Sequence, residues 1–398
     1  MMISNFLTKA KGFVTQYPRV IALVIVTVGV LWGLGIFGTQ AAWYSSTGDG
    51  PTWQYRQKIT IDADQIDSDL TDFPVYLDLA DFGPDFFSNV KNDGGDIRIA
   101  KSDGTTELAR EVVSINTASS TGEVHFKADN LSSTIDNNFY IYYGSDGATA
   151  YADTDTFGTY NVWTEYEAVW HLNEDPGGVS PQMLDATGNG YDLEARGSMT
   201  SADLVDDHLG KAIELDGSGD YFSTPTSFNT YPATAGEIRY TSAIISNIPS
   251  NNKGGIVYFS AYNGFAVFDG GLFVHSAGDN SGTDTSASQV DDGNRYHVAA
   301  VFNQANEYRL YRDGVQVLQQ NITDTEASND EIWVGKQNAG TSNLNARMSE
   351  VRWSKKDLGS NWATTEHNNQ DDNAAFWVAT EAVTTPTASA RRSHLMSM

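Results

Sequence analysis

The chain has 398 residues, no cysteine and a formal net charge of −27. The lack of cysteine excludes disulfides and zinc–thiolate sites, and the acidic balance disfavours nucleic acid, which is bound by lysine and arginine. Its 36 glycines and 9 tryptophans favour strands and turns over helices. The negative charge is explained either by solubility in a salty medium or by sites for divalent cations.

An uncharged apolar run, VIALVIVTVGVLWGLGIFG, occupies residues 20–38. A helix of this length, at about 1.5 Å per residue, nearly spans a hydrocarbon core of about 30 Å. Lys9, Lys11 and Arg19 precede the run, so the positive-inside rule keeps residues 1–19 in the cytoplasm and places the rest outside. We predict an N-terminal transmembrane helix with cell-surface domains beyond it. A cleaved signal peptide, which would make the protein secreted, is the alternative.

Short apolar runs separated by turn signals follow a linker at residues 39–52. In YRQKITIDA, which begins at Tyr55, one side of the chain carries Tyr55, Gln57, Ile59 and Ile61. The other side carries the charged or polar residues between them. This period of two predicts a strand. NDGGD, KSDGTT and STG stand between such runs and predict turns. The spacing is typical of an antiparallel β-sandwich and defines a first domain at residues 53–150.

Four motifs occur in order within this first domain: WQYRQKITID, LTDFPVYLDL, GGDIRIAKSDGTTELAREV and NNFYIYYGSDGATA. On these motifs the domain resembles a small β-sandwich domain of unknown function that recurs in bacterial surface proteins. The resemblance implies a fold and a cell-surface location. It implies no activity and no catalytic residue.

A second series of strand-like runs, residues 165–380, follows a linker at residues 151–164. Its ordered blocks include VWHLNE, DATGNG, KAIELDGSGDYFS, YHVAAVFN, YRLYRDGVQV, EIWVGK and RMSEVRWSKKDLGSNWATTEHNNQ. These blocks resemble laminin-G and concanavalin A-like lectin/glucanase domains. The predicted fold class is therefore all-β, with two β-sandwich (jelly-roll type) domains after a transmembrane helix. The tail, residues 381–398, is predicted to be disordered.

The polar loop DATGNGYD suggests a calcium site, because calcium prefers carboxylate and amide oxygens. In domains of the resembled family, calcium often lies where the loop after the first strand meets the last strand. By this resemblance the predicted ligands are Glu174, Asp185, Asn189 and Glu350. The alternative is that the Asp and Asn side chains only form Asx-turns while glycine supplies positive φ.

No catalytic residue is predicted. The related glucanases carry an E-x-D-x-E run, which places its acids on one face of a strand, and this sequence contains no such run. It also lacks the G-x-S-x-G nucleophile motif. His125, His171 and His297 have no metal-ligand spacing and are predicted to be core or surface residues. Glycoside hydrolysis is therefore the least favoured function.

Aromatic rings near loops indicate sugar binding, because such rings stack on the C–H faces of sugars. The predicted glycan-binding residues are Trp163, Tyr191, Tyr221, Tyr262 and Trp362. Packing in the core is the alternative for each of them. The tryptophans that follow strand alternation are predicted to be core residues: Trp170, Trp333 and Trp353. We predict a membrane-tethered binding protein for glycans or surface polymers, and a structural surface module without a ligand is the main alternative.

Overall fold

The structure, a computed structural model, describes residues 53–225, 238–260, 263–276, 279–281, 289–303, 307–321, 331–337, 342–380 and 383–384. The predicted membrane segment at residues 20–38 lies outside the described residues. Within the described ranges, no helix is both long and apolar enough to span a bilayer. The described chain is mostly β, with four sheets and three α-helices, which confirms the all-β prediction.

The N-terminal unit contains the first seven strands: β1 (Tyr55–Ile61), β2 (Phe73–Asp78), β3 (Arg98–Lys101), β4 (Glu107–Leu108), β5 (Arg110–Asn116), β6 (Thr121–Ala128) and β7 (Asn137–Tyr143). One sheet has the order β1-β7-β3-β4, and a second has the order β2-β6-β5. Ile59 and Ile61 of β1 are buried between partly exposed neighbours, as the alternation predicts. A short helix, α1 (Pro84–Asn89), adds two buried phenylalanines to the same core.

The C-terminal unit contains the next fifteen described strands: β8 (Ala168–Trp170), β9 (Glu194–Arg196), β10 (Leu204–Asp207), β11 (Gly210–Asp216), β12 (Tyr221–Ser223), β13 (Ile238–Ser246), β14 (Lys253–Ser260), β15 (Asn263–Phe268), β16 (Gly271–Ser276), β17 (Asp279–Ser281), β18 (Tyr296–Asn303), β19 (Glu307–Arg312), β20 (Val315–Asn321), β21 (Trp333–Val334) and β22 (Asn345–Ser354).

Two sheets pack face to face in this C-terminal unit. The β22 sheet has the order β10-β11-β22-β13-β18-β19-β20, with β8 also paired to β22. The β14 sheet has the order β17-β16-β15-β14-β21-β12-β9. Both sheets contribute to one apolar core. For example, the rings of Trp353 on β22 and Phe259 on β14 lie 5.2 Å apart, centroid to centroid.

The end of the described chain returns to the N-terminal unit. After α2 (Gly359–Asp371) and α3 (Asn373–Phe376), the strands β23 (Trp377–Ala379) and β24 (Val383–Thr384) pair antiparallel with β1. The prediction that residues 165–380 belong to the second domain alone is therefore wrong at its C-terminal end. The predicted disorder of the tail is likewise corrected at β24. The physical reason is that β1 has a second edge, which these strands cover with backbone hydrogen bonds.

Helix α2 joins the two units. The amide of Asn369 accepts a hydrogen bond from the backbone N–H of Tyr76 at 2.7 Å and donates to its carbonyl oxygen at 3.0 Å. On the other side, the Thr364 hydroxyl donates to the carbonyl oxygen of Gly314 at 2.9 Å. The helix therefore satisfies backbone groups at an edge of β2 while it is bound to the β19–β20 hairpin.

Candidate functional site

A cluster of charged side chains is buried where the two units meet. Glu123 and His125 come from β6, His171 follows β8, and Glu350 and Arg352 come from β22. All five residues are at most 8% exposed. We call this set the interdomain centre. Buried charges are stable only when they are paired or bind a cation, so each contact in the centre has consequences for stability or binding.

A β-bulge in β22 sets the direction of Glu350. Met348 and Val351 both face the apolar core of the C-terminal unit, although strict alternation would put Met348 and Glu350 on one face. The register shifts where β22 pairs with β13, and Glu350 has a φ of 54°. The extra residue restores Val351 to the core and places Glu350 on the same side as Arg352.

Glu350 is held by two positively charged groups. Arg352 donates to its Oε1 from Nε at 2.8 Å and from Nη2 at 2.5 Å, and His171 Nδ1 lies 2.7 Å from its Oε2. Burial alone would raise the pKa of Glu350, but the charges of His171 and Arg352 outweigh it and hold the pKa well below its usual range. Glu350 is therefore an anion at neutral pH.

Arg352 connects the centre to helix α2. Its Nη1 donates to Glu366 Oε1 at 2.8 Å. Tyr166 and Tyr240 donate their hydroxyl groups to the two oxygens of Glu366 at 2.9 and 2.5 Å. Burial opposes the ionisation of Glu366, yet Arg352 and the hydrogen bonds lower its pKa to about 2. The position of α2 therefore depends on one guanidinium group shared between two buried carboxylates.

His171 lies between two acids. Its Nε2 is 3.2 Å from Glu111 Oε2, which also accepts a 2.6 Å hydrogen bond from Trp163 Nε1. Burial opposes protonation of this imidazole, but Glu350 and Glu111 raise the pKa of His171 well above its usual value. Glu111 thus orients His171 from the N-terminal unit, and Trp163 orients Glu111.

Glu123 and His125 complete the centre. His125 Nε2 is 3.4 Å from Glu123 Oε1 and 3.9 Å from Glu350 Oε1. Burial lowers the pKa of His125 well below its usual value. Burial also raises the pKa of Glu123 to about 8, with Glu350 and Glu111 adding to the effect. One ligand-type atom each from Glu123, His125, His171 and Glu350 lies within 4.8 Å of the other three.

The predicted calcium ligands do not form a common site. The Asp185 carboxylate accepts hydrogen bonds from the backbone N–H groups of Thr187 at 3.0 Å, Val169 at 3.2 Å and Tyr191 at 3.2 Å. These contacts are those of the Asx-turn alternative. The predicted grouping with Glu350 is wrong, because the bulge in β22 directs Glu350 to Arg352 and His171.

The remaining two predicted calcium ligands also bind the protein itself. Glu174 Oε1 accepts from the backbone N–H of Leu184 at 3.0 Å. Asn189 Nδ2 donates to the carbonyl oxygen of Glu167 at 3.0 Å, which uses the amide nitrogen to hold the loop. Both residues therefore shape the loop, and calcium binding by them stays a prediction.

Two of the predicted glycan-binding tryptophans belong to the core. Trp163 is 1% exposed and Trp362 is 4% exposed, so neither has a ring face for a sugar, and this prediction is corrected. Trp362 Nε1 donates to the Tyr166 hydroxyl at 2.8 Å. Tyr191 is half-buried, with its ring edge-on against Trp353 at 5.1 Å. Tyr262 lies outside the described residues.

Tyr221 is partly exposed, on the outer face of the β14 sheet. Phe222 and Val334 are buried in the core, so alternation places the neighbouring Tyr221 and Trp333 on the opposite face. Their ring centroids are 5.9 Å apart, and Lys336 Nζ lies 4.3 Å from the centroid of the Tyr221 ring. The prediction that Trp333 is a core residue is therefore wrong. Trp170 and Trp353 are fully buried, which confirms their prediction.

A cavity of about 340 Å³ continues this surface. It is lined by Lys253, Gly254, Tyr258, Ala266, Val267, Phe268, Phe273 and Gln337. Tyr258 is the cross-strand partner of Trp333, so the cavity adjoins the Tyr221–Trp333 pair. Phe268 is 46% exposed, and Lys253 Nζ lies 4.1 Å from its ring centroid. We call Tyr221, Phe268, Phe273 and Trp333 the aromatic face, and the fully buried Tyr258 lies beneath it.

The interdomain centre was not predicted from the sequence motifs, although the sequence contains a local indication of it. Glu123 and His125 are two positions apart in EVHF, and Glu350 and Arg352 are two positions apart in EVRW. Within a strand, such spacing puts both titratable groups on one face. Each pair lies between apolar residues and so indicates polar groups on a buried strand face. The spacing does not show that these two strand faces contact each other.

Comparisons with known families agree with the two units. Residues 216–363 match the family model described as "Concanavalin A-like lectin/glucanases superfamily", and residues 93–171 match "Domain of unknown function (DUF2341)". The chain contains a concanavalin A-like domain and a DUF2341 domain. Both resemblances seen in the sequence are confirmed. The DUF2341 match includes Glu123, His125 and His171, whereas the concanavalin A-like match includes Glu350 and Arg352.

Solved structures show distant similarity. The binding domain of Paraclostridial Mosquitocidal Protein 1 is 14% identical, with 50% of this chain and 52% of that chain covered and a TM-score of 0.38. The receptor binding domain of botulinum neurotoxin D is 15% identical, with 52% and 53% covered and a TM-score of 0.37. Domain 4 of AbnA, a GH43 extracellular arabinanase from Geobacillus stearothermophilus, solved with arabinotriose, is 16% identical, with 50% and 97% covered and a TM-score of 0.39.

The chain spans about half the length of the toxin binding domains that it matches. A comparison with curated protein sequences finds no match.

Proposed function

We propose that this protein binds glycans on the aromatic face of its concanavalin A-like domain. The observation that carries the proposal is the continuity of Tyr221, Trp333 and the cavity at Phe268 along one outer sheet surface. Partly exposed rings of this kind stack on the C–H faces of sugars. Lys336 and Lys253, which lie over two of these rings, supply hydrogen-bond donors for hydroxyl groups at the same surface.

We further propose that the role is binding and not hydrolysis. A glycosidase requires two carboxylates that face each other across a substrate cleft. In the described part of the chain, the carboxylates of Glu123 and Glu350 approach one another at a buried interface between domains. Release of reducing sugar during the binding experiment below would contradict this proposal.

Removing two rings from the aromatic face is expected to weaken glycan binding. The full chain is tested on an array of soluble polysaccharides, and the best ligand is then titrated. The combined Tyr221→Ala and Trp333→Ala variant should bind at least tenfold more weakly, a loss of about 1.4 kcal/mol, because two stacking surfaces disappear. Val315→Ala is the control: its side chain is 65% exposed on β20 of the opposite sheet, and its affinity should be unchanged.

The same titration is run with calcium and with EDTA, so that it also tests the calcium dependence predicted from the family resemblance. Circular dichroism verifies that each variant is folded. Unchanged affinity in the double variant would show that the glycan-binding site does not lie on the aromatic face. The absence of binding to any polysaccharide under either condition would favour the structural surface module.

We also propose that both domains lie outside the cell, tethered by residues 20–38. The apolar run and the basic residues before it support this location. Protease added to intact cells should degrade both domains, and the mass of the mature protein should include residues 1–38. A mass that lacks this segment would instead identify a secreted protein. Domains that are protected in intact cells and cut only after lysis would contradict the location.

A further inference from the structure

We propose that the interdomain centre is a binding site for a divalent transition-metal ion of the Zn²⁺ type, with Glu123, His125, His171 and Glu350 as its ligands. One nitrogen or oxygen from each lies within 4.8 Å of the other three, and all four residues are buried. Two imidazoles and two carboxylates form a donor set that Zn²⁺ accepts. This inference is independent of glycan binding.

The distances suit a tetrahedral ion. Bonds of about 2.1 Å to nitrogen and oxygen place tetrahedral ligands roughly 3.4 Å apart. His125 Nε2 lies 3.4 Å from Glu123 Oε1 and 3.9 Å from Glu350 Oε1. To bind all four ligands, an ion would also require the 2.7 Å contact between His171 Nδ1 and Glu350 Oε2 to lengthen to about 3.4 Å as the proton between them is released.

Glu123 provides a second, independent observation. The residue is 4% exposed, and the long 3.4 Å contact with His125 Nε2 is the only hydrogen bond of its carboxylate to another described residue. Buried carboxylates ordinarily accept several hydrogen bonds or bind a cation. The carboxylate of Glu123 points at the imidazole nitrogen with which it would share the ion.

Outer contacts already orient the remaining ligands. With Nδ1 of His171 on the ion, its Nε2–H donates to Glu111 Oε2, which is 3.2 Å away. This carboxylate–histidine–metal arrangement fixes the imidazole tautomer and ring plane at metal sites. Arg352 similarly holds Glu350 through Oε1 with two hydrogen bonds. The ligands are therefore positioned by groups that do not themselves bind the ion.

The local charge favours a cation. Four acids lie in or beside the centre, namely Glu111, Glu123, Glu350 and Glu366, and Arg352 is bonded to two of them. Metal binding requires deprotonated ligands, so Glu123 and His171 would release their protons. The set then has a formal charge of −3, from four negative charges and one positive charge, and a divalent ion reduces it to −1. Uncompensated buried charge is unfavourable. An ion bound by residues of both β6 and β22 would also link the two domains.

Metal analysis of the full chain tests the proposal. Protein produced with added zinc and then dialysed should contain about one zinc per chain. After removal of the zinc by a chelator, added Co²⁺ should give the visible absorption of a tetrahedral cobalt centre. Glu123→Gln and His125→Ala should each bind Co²⁺ at least tenfold more weakly. Glu174→Gln is the control, because this acid is hydrogen-bonded to Leu184 outside the centre, and it should bind normally.

The measurements on the unmodified chain do not depend on whether a variant folds. A zinc-free protein that also gives no tetrahedral cobalt spectrum would overturn the proposal. So would a folded Glu123→Gln variant that retains full cobalt affinity. Removal of zinc should also lower the melting temperature of the unmodified chain and leave that of Glu123→Gln unchanged, since ligand binding to the folded state raises stability.

Discussion

Replacing Arg352 with leucine is expected to lower the free energy of unfolding by ~3–5 kcal/mol. Arg352 is 1% exposed and donates to both Glu350 and Glu366. Leucine removes the positive charge and leaves two buried carboxylates without their partner. Urea unfolding at neutral pH, followed by tryptophan fluorescence, measures the loss.

Arg347 offers a matched control on the same strand. Its Nη2 lies 3.3 Å from Glu214 Oε2, and the two side chains are 31% and 50% exposed. Exposed ion pairs contribute at most about 1 kcal/mol, because water screens them. Arg347→Leu should therefore have a small effect. Equal losses for the two variants would show that burial of the Arg352 network does not determine its contribution.

The difference in unfolding free energy between the unmodified chain and Arg352→Leu should depend on pH, because Glu366 contributes to it. The pKa of Glu366 is lowered from its ordinary value of 4.5 to about 2 in the folded chain. A lowered folded-state pKa contributes stability above pH 4.5 that is lost as the pH falls through about 2. The gap between the unmodified chain and Arg352→Leu should therefore narrow over this acid range. A gap that stays constant would contradict the ionised state of Glu366.

Replacing Trp377 with alanine should destabilise the N-terminal unit by ~3–5 kcal/mol. Trp377 is 2% exposed, its ring lies 4.9 Å from that of Phe82, and its Nε1 donates to Asn373 Oδ1 at 2.6 Å. The substitution leaves a large cavity in the core of the N-terminal unit. Hydrogen exchange should show lost protection in β1, although the substitution is at the other end of the described chain.

Val378 is the control for this substitution. It belongs to the same strand, pairs with Thr60, and is 58% exposed. Surface replacements of this kind change stability by about 0.5 kcal/mol or less, so Val378→Ala should unfold like the unmodified chain. Unaltered protection of β1 in Trp377→Ala would mean that the C-terminal strand is not needed by the N-terminal unit.

Local patterns were sufficient for much of the fold. The alternation in YRQKITIDA predicted which side chains of β1 are buried, since a strand places successive side chains on opposite faces. Motif order identified both domains, which the family models confirm. Trp333 marks where this approach fails. Its strand, β21, has only two residues, so alternation alone could not tell which face the sheet partners would cover.

The candidate sites depended on contacts between distant segments. The family resemblance suggested that Glu350 would meet the Asp185 loop, but a one-residue bulge placed it beside Arg352. No sequence spacing relates His125 to His171, because His125 lies on β6 of the N-terminal unit and His171 follows β8 of the C-terminal unit.

The sequence by itself determined an acidic, mostly β chain with two recognisable domains, because composition, alternation and turn signals are local properties. Only the tertiary structure decided that β23 completes the first sheet, that Trp163 and Trp362 are buried, and that four potential metal ligands converge. Each of these outcomes depends on how strand edges and faces pair over long separations, and no local pattern encodes that pairing.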